Sequence, residues 1–202
     1  HGGGVSPSEK YLRMTTGIAT AATALPLTMI LCDYLLYYPT IDDSSLDEQV
    51  LDNTVTLPRY TDGEGVQVIA VSLNGRTGGG RFYFTYTNSN GVSGRVSKTV
   101  YQNSSTAVGQ LQSSGANTNA ASMPFIGLQD GDSGVRQVDS IFMLDGDVGV
   151  MALVLVKPLG TSVIREITAP VEKDYFMEAG VIPRIYDDAY LSFLCLPQGT
   201  LA

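Results

Sequence analysis

Residues 54 to 101 alternate apolar and polar side chains with a period of two, and clusters of glycine, asparagine and aspartate cut the alternation into segments. Successive side chains of a strand point to opposite faces, so the pattern predicts half-buried antiparallel strands. The segments are 66–73, rich in β-branched residues, then 81–87 and 95–101. Within 81–87 the pattern puts Phe82, Phe84 and Tyr86 on one face and Tyr83, Thr85 and Thr87 on the other. Within 95–101 it sets Val96, Lys98 and Val100 against Arg95, Ser97 and Thr99. Asn90-Gly91 is a turn signal in the loop between these two segments. Further strands are expected at 136–144, 148–157, 162–168 and 190–196, with 148–156 apolar enough to be covered on both faces. The fold class is therefore mainly β: an antiparallel β-sandwich, jelly-roll-like or Ig-like, over residues 54–202, with one or two N-terminal helices.

Those helices belong to residues 1–53, which read as a helical and apolar arm followed by an acidic connector. Ser6 and Glu9 have the spacing of a capping box, with Pro7 at the first helical position, and this predicts a helix over 7–15. Residues 17–38 are the most apolar stretch and approach the length of a membrane span. Pro26 interrupts that stretch, Asp33 sits near its end, and its first half is rich in Ala and Thr, so no membrane is expected. A second helix over 26–38, ended by Pro39, is expected instead; apolar nearly all round, it would be buried in the core or against a neighbouring subunit. Asp42, Asp43, Asp47, Glu48 and Asp52 make a solvated connector. Residues 102–122 are a polar low-complexity tract, expected as a surface loop that orders against a partner or as a polar strand pair. Residues 172–188 predict a crossover containing a helical turn. The chain opens on His1 without signal-peptide architecture, so an N-terminal stretch is expected to be missing or removed.

Composition narrows the partners. At 202 residues the chain can bury a sizeable core, and 44% of it is hydrophobic while 16% is charged, below the usual quarter. Much of the surface is then polar but uncharged, which suits a β protein and also a subunit within an assembly. A net charge of −8 with 12 basic residues, scattered, argues against nucleic acid, whose phosphates require clustered Lys and Arg. Cys32 and Cys195 are expected as buried free thiols.

Several patterns suggest chemistry. Gly131-Asp132-Ser133-Gly134 has the form of a serine-protease nucleophile motif, yet the single histidine, His1, lies at a terminus, and a serine hydroxyl needs a base. His1-Gly2-Gly3-Gly4 has the form of an esterase oxyanion loop, but the G-x-S-x-G elbow it requires is missing. Turn chemistry accounts for both DGD corners, Asp130/Asp132 and Asp145/Asp147, although these four aspartates could bind calcium if the corners met in space. Gly75 to Gly80 lacks the Lys-Ser/Thr ending of a phosphate loop. The chain has no tryptophan to stack on a sugar, but it has 11 tyrosines. Tyr and Arg are enriched at protein interfaces, which makes Arg59, Tyr60, Arg184 and Tyr186 candidate anchors. No catalytic residue, cofactor or metal is expected.

The phrases HGGGVSPSEKYLRMTTGIATAATALPLTMILCDYLLYYP, LPRYTDGEGVQVIAVSL and FTYTNSNGVSGR resemble virion structural proteins of tailed bacteriophages, of the head-decoration or capsid-cement type. The resemblance is one of phrasing across most of the chain rather than of a defining motif. It implies a non-catalytic protein on the capsid surface of the virion, assembled in the host cytoplasm, that binds the major capsid protein and reinforces the shell. A homo-oligomer, trimer or dimer, is expected. The interface would then draw on Tyr11, Leu27, Ile30, Leu31, Tyr34, Leu35, Tyr37 and Tyr38 of the arm, with Arg59, Tyr60, Arg184 and Tyr186. The rival readings are an extracellular or virion tail/fibre adhesion module and, further off, a hydrolase built on Ser133.

Overall fold

The computed structural model describes residues 3–75, 78–103, 107–112 and 124–198. The described chain is mainly β. It begins with β1 (Lys10–Tyr11), β2 (Met14–Gly17), the long β3 (Leu27–Asp42), β4 (Gln49–Val50) and β5 (Gln67–Ser72). Then come β6 (Arg81–Asn88), β7 (Arg95–Val96), β8 (Val100–Tyr101), β9 (Val135–Met143) and β10 (Val150–Ile164). It closes with β11 (Val171–Asp174), one helical turn α1 (Tyr175–Glu178), β12 (Arg184–Ile185) and β13 (Tyr190–Pro197). One four-stranded sheet runs β13-β3-β10-β5 and one five-stranded sheet runs β4-β9-β6-β7 with β8 also on β6; β1-β12 and β2-β11 form two-stranded ribbons.

Contacts divide the chain into an inserted unit, Leu35–Lys157, and a terminal unit, His1–Tyr34 with Pro158–Ala202. The boundary foreseen at residue 53 does not coincide with this division, because β3 and β10 each run from one unit into the other.

The inserted unit holds the core. Phe82, Phe84 and Tyr86 of β6 are fully buried, as the alternation requires, and meet Val138, Ile141 and Met143 of β9. The same cluster takes Val68 and Ala70 from β5, Met151, Leu153 and Leu155 from β10, and Leu35, Tyr38 and Ile41 from β3. Both larger sheets therefore contribute to one apolar interior. β10 is buried from Met151 to Val156, as its unbroken apolar run predicts for a strand flanked on both sides. The third segment of the meander departs from expectation. Pairing is confined to β7 and β8, Ser97 is buried and Val96 is exposed, so the alternation breaks where Ser97 Oγ accepts the Phe84 N–H at 3.0 Å.

Neither N-terminal helix forms. Residues 7–15 instead supply β1 and β2, with Lys10 opposite Ile185 and Met14 opposite Asp174. A capping box contributes only about 1 kcal/mol, and a helix this short is marginal in water, so strand pairing with distant segments prevails. Glu9 does not reach back to Ser6; it accepts the Tyr11 hydroxyl at 2.5 Å and pairs with Arg184 at 2.8 Å. The expected helix over 26–38 is strand from Leu27 onward: Leu27–Tyr34 of β3 pairs with β13, and an all-apolar run marks a strand flanked on both sides as readily as a buried helix. Pro39 does not end the element, because β13 stops opposite Tyr34 and leaves that edge without a ladder bond to lose. The acidic connector is in part core: Ile41 and Asp43 are buried.

Candidate interaction surface

The terminal unit carries much apolar surface and little interior. Every member of the main hydrophobic cluster comes from the inserted unit. In the terminal unit the buried apolar set is small: Ile30, Leu31, Cys32, Ile164, Tyr175, Ile185, Ala189 and Leu194. Against these stand Met14, Ile18, Ile167, Phe176, Met177, Val181, Tyr190 and Phe193, all exposed. Phe176, Met177 and Val181 expose 66%, 76% and 83% of their surface. Single exposed apolar residues are ordinary, but a concentration of large ones marks an interaction surface.

Local structure gathers several of these. The β2–β11 ladder pairs Met14 with Asp174, and Asp174 caps α1 by accepting the N–H groups of Phe176 and Met177 at 2.9 and 3.3 Å. That cap turns Phe176 and Met177 out beside the Met14 end of the ribbon. At its other end Ala19 bridges Ile167, which places Ile18 and Ile167 together. A ladder of four residues is about 10 Å long, so one short ribbon presents apolar groups at both ends. A groove of about 600 Å³ along β11 adds mixed charge from Arg165, Glu166, Glu172 and Lys173.

The structure distributes the twelve sequence-predicted interface residues unevenly. Ile30, Leu31, Leu35, Tyr38 and Arg59 are buried within the chain. The Tyr38 hydroxyl donates to Asn53 Oδ1 at 2.7 Å and accepts the Val138 N–H at 3.1 Å; burial pushes its pKa up to about 12. Tyr60 is half-buried beneath the Lys157 ammonium, 5.2 Å from its ring centre. Burial lowers the pKa of Lys157, whose Nζ also donates to the Glu64 carbonyl at 2.6 Å. Leu27 is half-buried at the start of β3, and Tyr37 is exposed in the inserted unit. Three residues come together in the terminal unit: Tyr11 pairs opposite Arg184, and the Arg184 guanidinium lies 4.5 Å from the Tyr186 ring centre. Tyr34 packs edge-on against Tyr190 at 6.2 Å. Phe176 and Met177 are not among the twelve, since an apolar pair in a polar crossover reads the same whether it points in or out; nor is Ile167, which falls in a segment expected as strand, and Ile18 belongs to the apolar arm without being singled out.

The motif at 131–134 is a structural corner. Asp132 Oδ2 accepts the Tyr86 hydroxyl at 2.5 Å and Arg95 Nε at 2.9 Å, and its Oδ1 accepts Asn88 Nδ2 at 2.7 Å. The Ser133 hydroxyl donates to Glu64 at 2.7 Å and lies 3.1 Å from the Ser89 hydroxyl; His1 lies outside the described residues. The two aspartate corners do not meet. Asp132 binds Asn88 at one end of β6 and Asp145 pairs with Arg81 at the other, roughly 20 Å along the strand. Asp130 is engaged by Lys98 at 2.6 Å. No group of three metal-ligating side chains occurs among the described residues. Cys32 is buried, but Cys195 is exposed rather than buried because β13 is an edge strand; both thiols are free. No helix among the described residues is long and apolar enough to cross a membrane. Most of the 102–122 tract lies outside the described residues.

Comparison of the chain with protein-family models, with curated proteins and with solved structures finds no match.

Proposed function

We propose that the chain is a non-catalytic structural protein, an antiparallel β-sandwich whose terminal unit attaches it to a larger protein assembly. The observation that carries this is the terminal unit's exposure of Met14, Ile18, Ile167, Phe176, Met177 and Val181 beside a small interior. Surface of this kind gains free energy only when a partner covers it, so the unit is stabilised in the assembled state. The sandwich itself rests on the inner residues of both larger sheets sharing one cluster. The identity of the assembly comes from the resemblance alone: the capsid shell of a tailed-phage virion, with the major capsid protein as partner and this chain as its cement.

The test is co-sedimentation with capsids built from the major capsid protein encoded with the chain. Phe176→Lys with Met177→Lys removes two exposed contacts. At about 25 cal/mol per Å² of covered apolar surface, the pair should cost at least about 2 kcal/mol, a roughly 30-fold loss of affinity. Urea stability should stay within about 0.5 kcal/mol of the parent, since neither side chain is buried. Unchanged binding by this variant, or no binding by the parent, refutes the reading.

A further inference from the structure

We propose that the outer edge of β13 is a self-association site, pairing antiparallel with β13 of a second copy about a two-fold axis near Phe193. β13 is the end strand of its sheet, and its register with β3 is unbroken over eight residues. The Gln198 N–H donates to the Pro26 carbonyl, which sets the alternation of the ladder. The even residues of β13 then bond β3, and the N–H and C=O groups of Leu191, Phe193 and Cys195 line the outer edge. No hydrogen bond to these outward groups occurs among the described residues.

Other sheet edges are protected. β5 is covered by Gln110, Gln112 and Ile126, which bond Ser72, Ala70 and Val68. β4, β7 and β8 are two residues long, and β2 and β11 four. Past Tyr34, β3 is interrupted by Pro39 and by Thr40, whose φ of 60° breaks the strand conformation; past Val156, β10 carries Pro158. Proline, charge, shortness and covering are how proteins blunt an edge, and β13 (YLSFLCLP) uses none of them ahead of its last residue.

A second copy is the occupant that fits. Two-fold pairing sets each strand against its own sequence, so any charge would meet a like charge nearby; β13 has none, on a chain of net charge −8. Centred on Phe193, the register pairs every outward N–H of Leu191, Phe193 and Cys195 with an outward carbonyl. Pro197, which has no N–H to offer, falls beyond the ladder. Phe193 meets Phe193, Leu191 meets Cys195 and Tyr190 meets Leu196, apolar against apolar, while the uncharged Ser192 meets Leu194. This inference rests on the strand alone and not on the capsid reading.

The test uses the full chain. Sedimentation equilibrium should give a dimer at micromolar concentration, and Phe193→Lys should give a monomer with an unchanged circular dichroism spectrum. In a Cys195→Ser background, Phe193→Cys places two thiols on the axis. Their Cα atoms would lie about 5.5 Å apart, within the roughly 4.4–6.8 Å that a disulfide bridges. Mild oxidation should therefore link this variant as a covalent dimer. Native Cys195, about 14 Å from its counterpart, should not link. A parent chain that stays monomeric at 100 µM overturns the proposal. Faster linkage through Cys195 than through Phe193→Cys overturns the register. A monomer whose capsid binding is lost in Phe193→Lys assigns the edge to a strand of another protein and also overturns it.

Discussion

Replacing Asp132 by asparagine removes one charge and almost no volume, and the surrounding geometry dictates a large cost. The Asp132 side chain is 4% exposed and accepts from Tyr86, Arg95 and Asn88. An asparagine has one oxygen for these two acceptor positions. If that oxygen serves Tyr86 and Arg95, the new amide N–H groups confront the Asn88 donor. Asn88 cannot turn its amide over, because its Oδ1 already accepts the N–H groups of Asn90 and Val92 at 3.0 and 2.9 Å. The Arg95 bond falls from an ion pair to a bond between a charged donor and a neutral oxygen, a loss of about 1 kcal/mol, and a buried donor is orphaned at about 1–3 kcal/mol. Arg95 is 25% exposed and regains some hydration, so the expected total is about 3 kcal/mol. At a urea slope near 2 kcal/mol/M this lowers the midpoint by roughly 1.5 M. Burial raises the Asp132 pKa, and the hydrogen bonds from Arg95, Tyr86 and Asn88 outweigh it, so the carboxyl titrates below the ordinary aspartate range. A pKa lowered in the folded state means stabilisation that is full above the unfolded value, about 3.9, and lost as pH falls through the folded one. The gap between parent and Asp132→Asn should therefore narrow below about pH 4. A variant within about 0.5 kcal/mol of the parent at pH 7, or a gap constant down to pH 2, refutes this account.

Gly134→Ala should cost more than about 2 kcal/mol in the same urea assay, because its Cβ would strike the Gly63 carbonyl oxygen and lie 2.7 Å from the Gly65 nitrogen, both backbone atoms. Gly131→Ala meets open space and should cost only about 1 kcal/mol, the strain of its φ of 91°. Equal losses would show that crowding at 134 has been misjudged. In the native state a disulfide-exchange reagent should modify Cys195 and spare Cys32, which is fully buried with a thiol pushed up to about 12 by burial. Native modification of Cys32 would contradict its burial within β3.

The segment at 81–87 was legible because alternation reports burial directly: Phe82, Phe84 and Tyr86 face inward where the pattern puts them, whereas at 95–101 a buried Ser97 hydrogen bond overrides the pattern. The apolar run at 26–38 was not, since a strand flanked on both sides and a buried helix share one signature, and only the partner β13, more than 150 residues away, decides between them. The capping box at Ser6 was misleading because a local preference of about 1 kcal/mol yields to pairing across nearly the whole chain, Lys10 with Ile185. The turn closed by the Asp132 N–H on the Gln129 carbonyl was legible from its Asp and Gly, although the burial of Asp132 depends on Arg95, Tyr86 and Asn88 converging, which sequence spacing does not disclose. Tyr11, Arg184 and Tyr186 were picked out by residue type and do lie together. Leu35 and Tyr38 were picked out by apolarity and lie in the core.

The central claim, that the terminal unit is the face covered in the assembly, is tested most directly by amide hydrogen exchange on the free and capsid-bound chain. Protection gained on binding should fall on residues 14–18 and 167–181, with the β6–β9 ladder unchanged. Protection gained only within the inserted unit, or none on binding, would contradict the account.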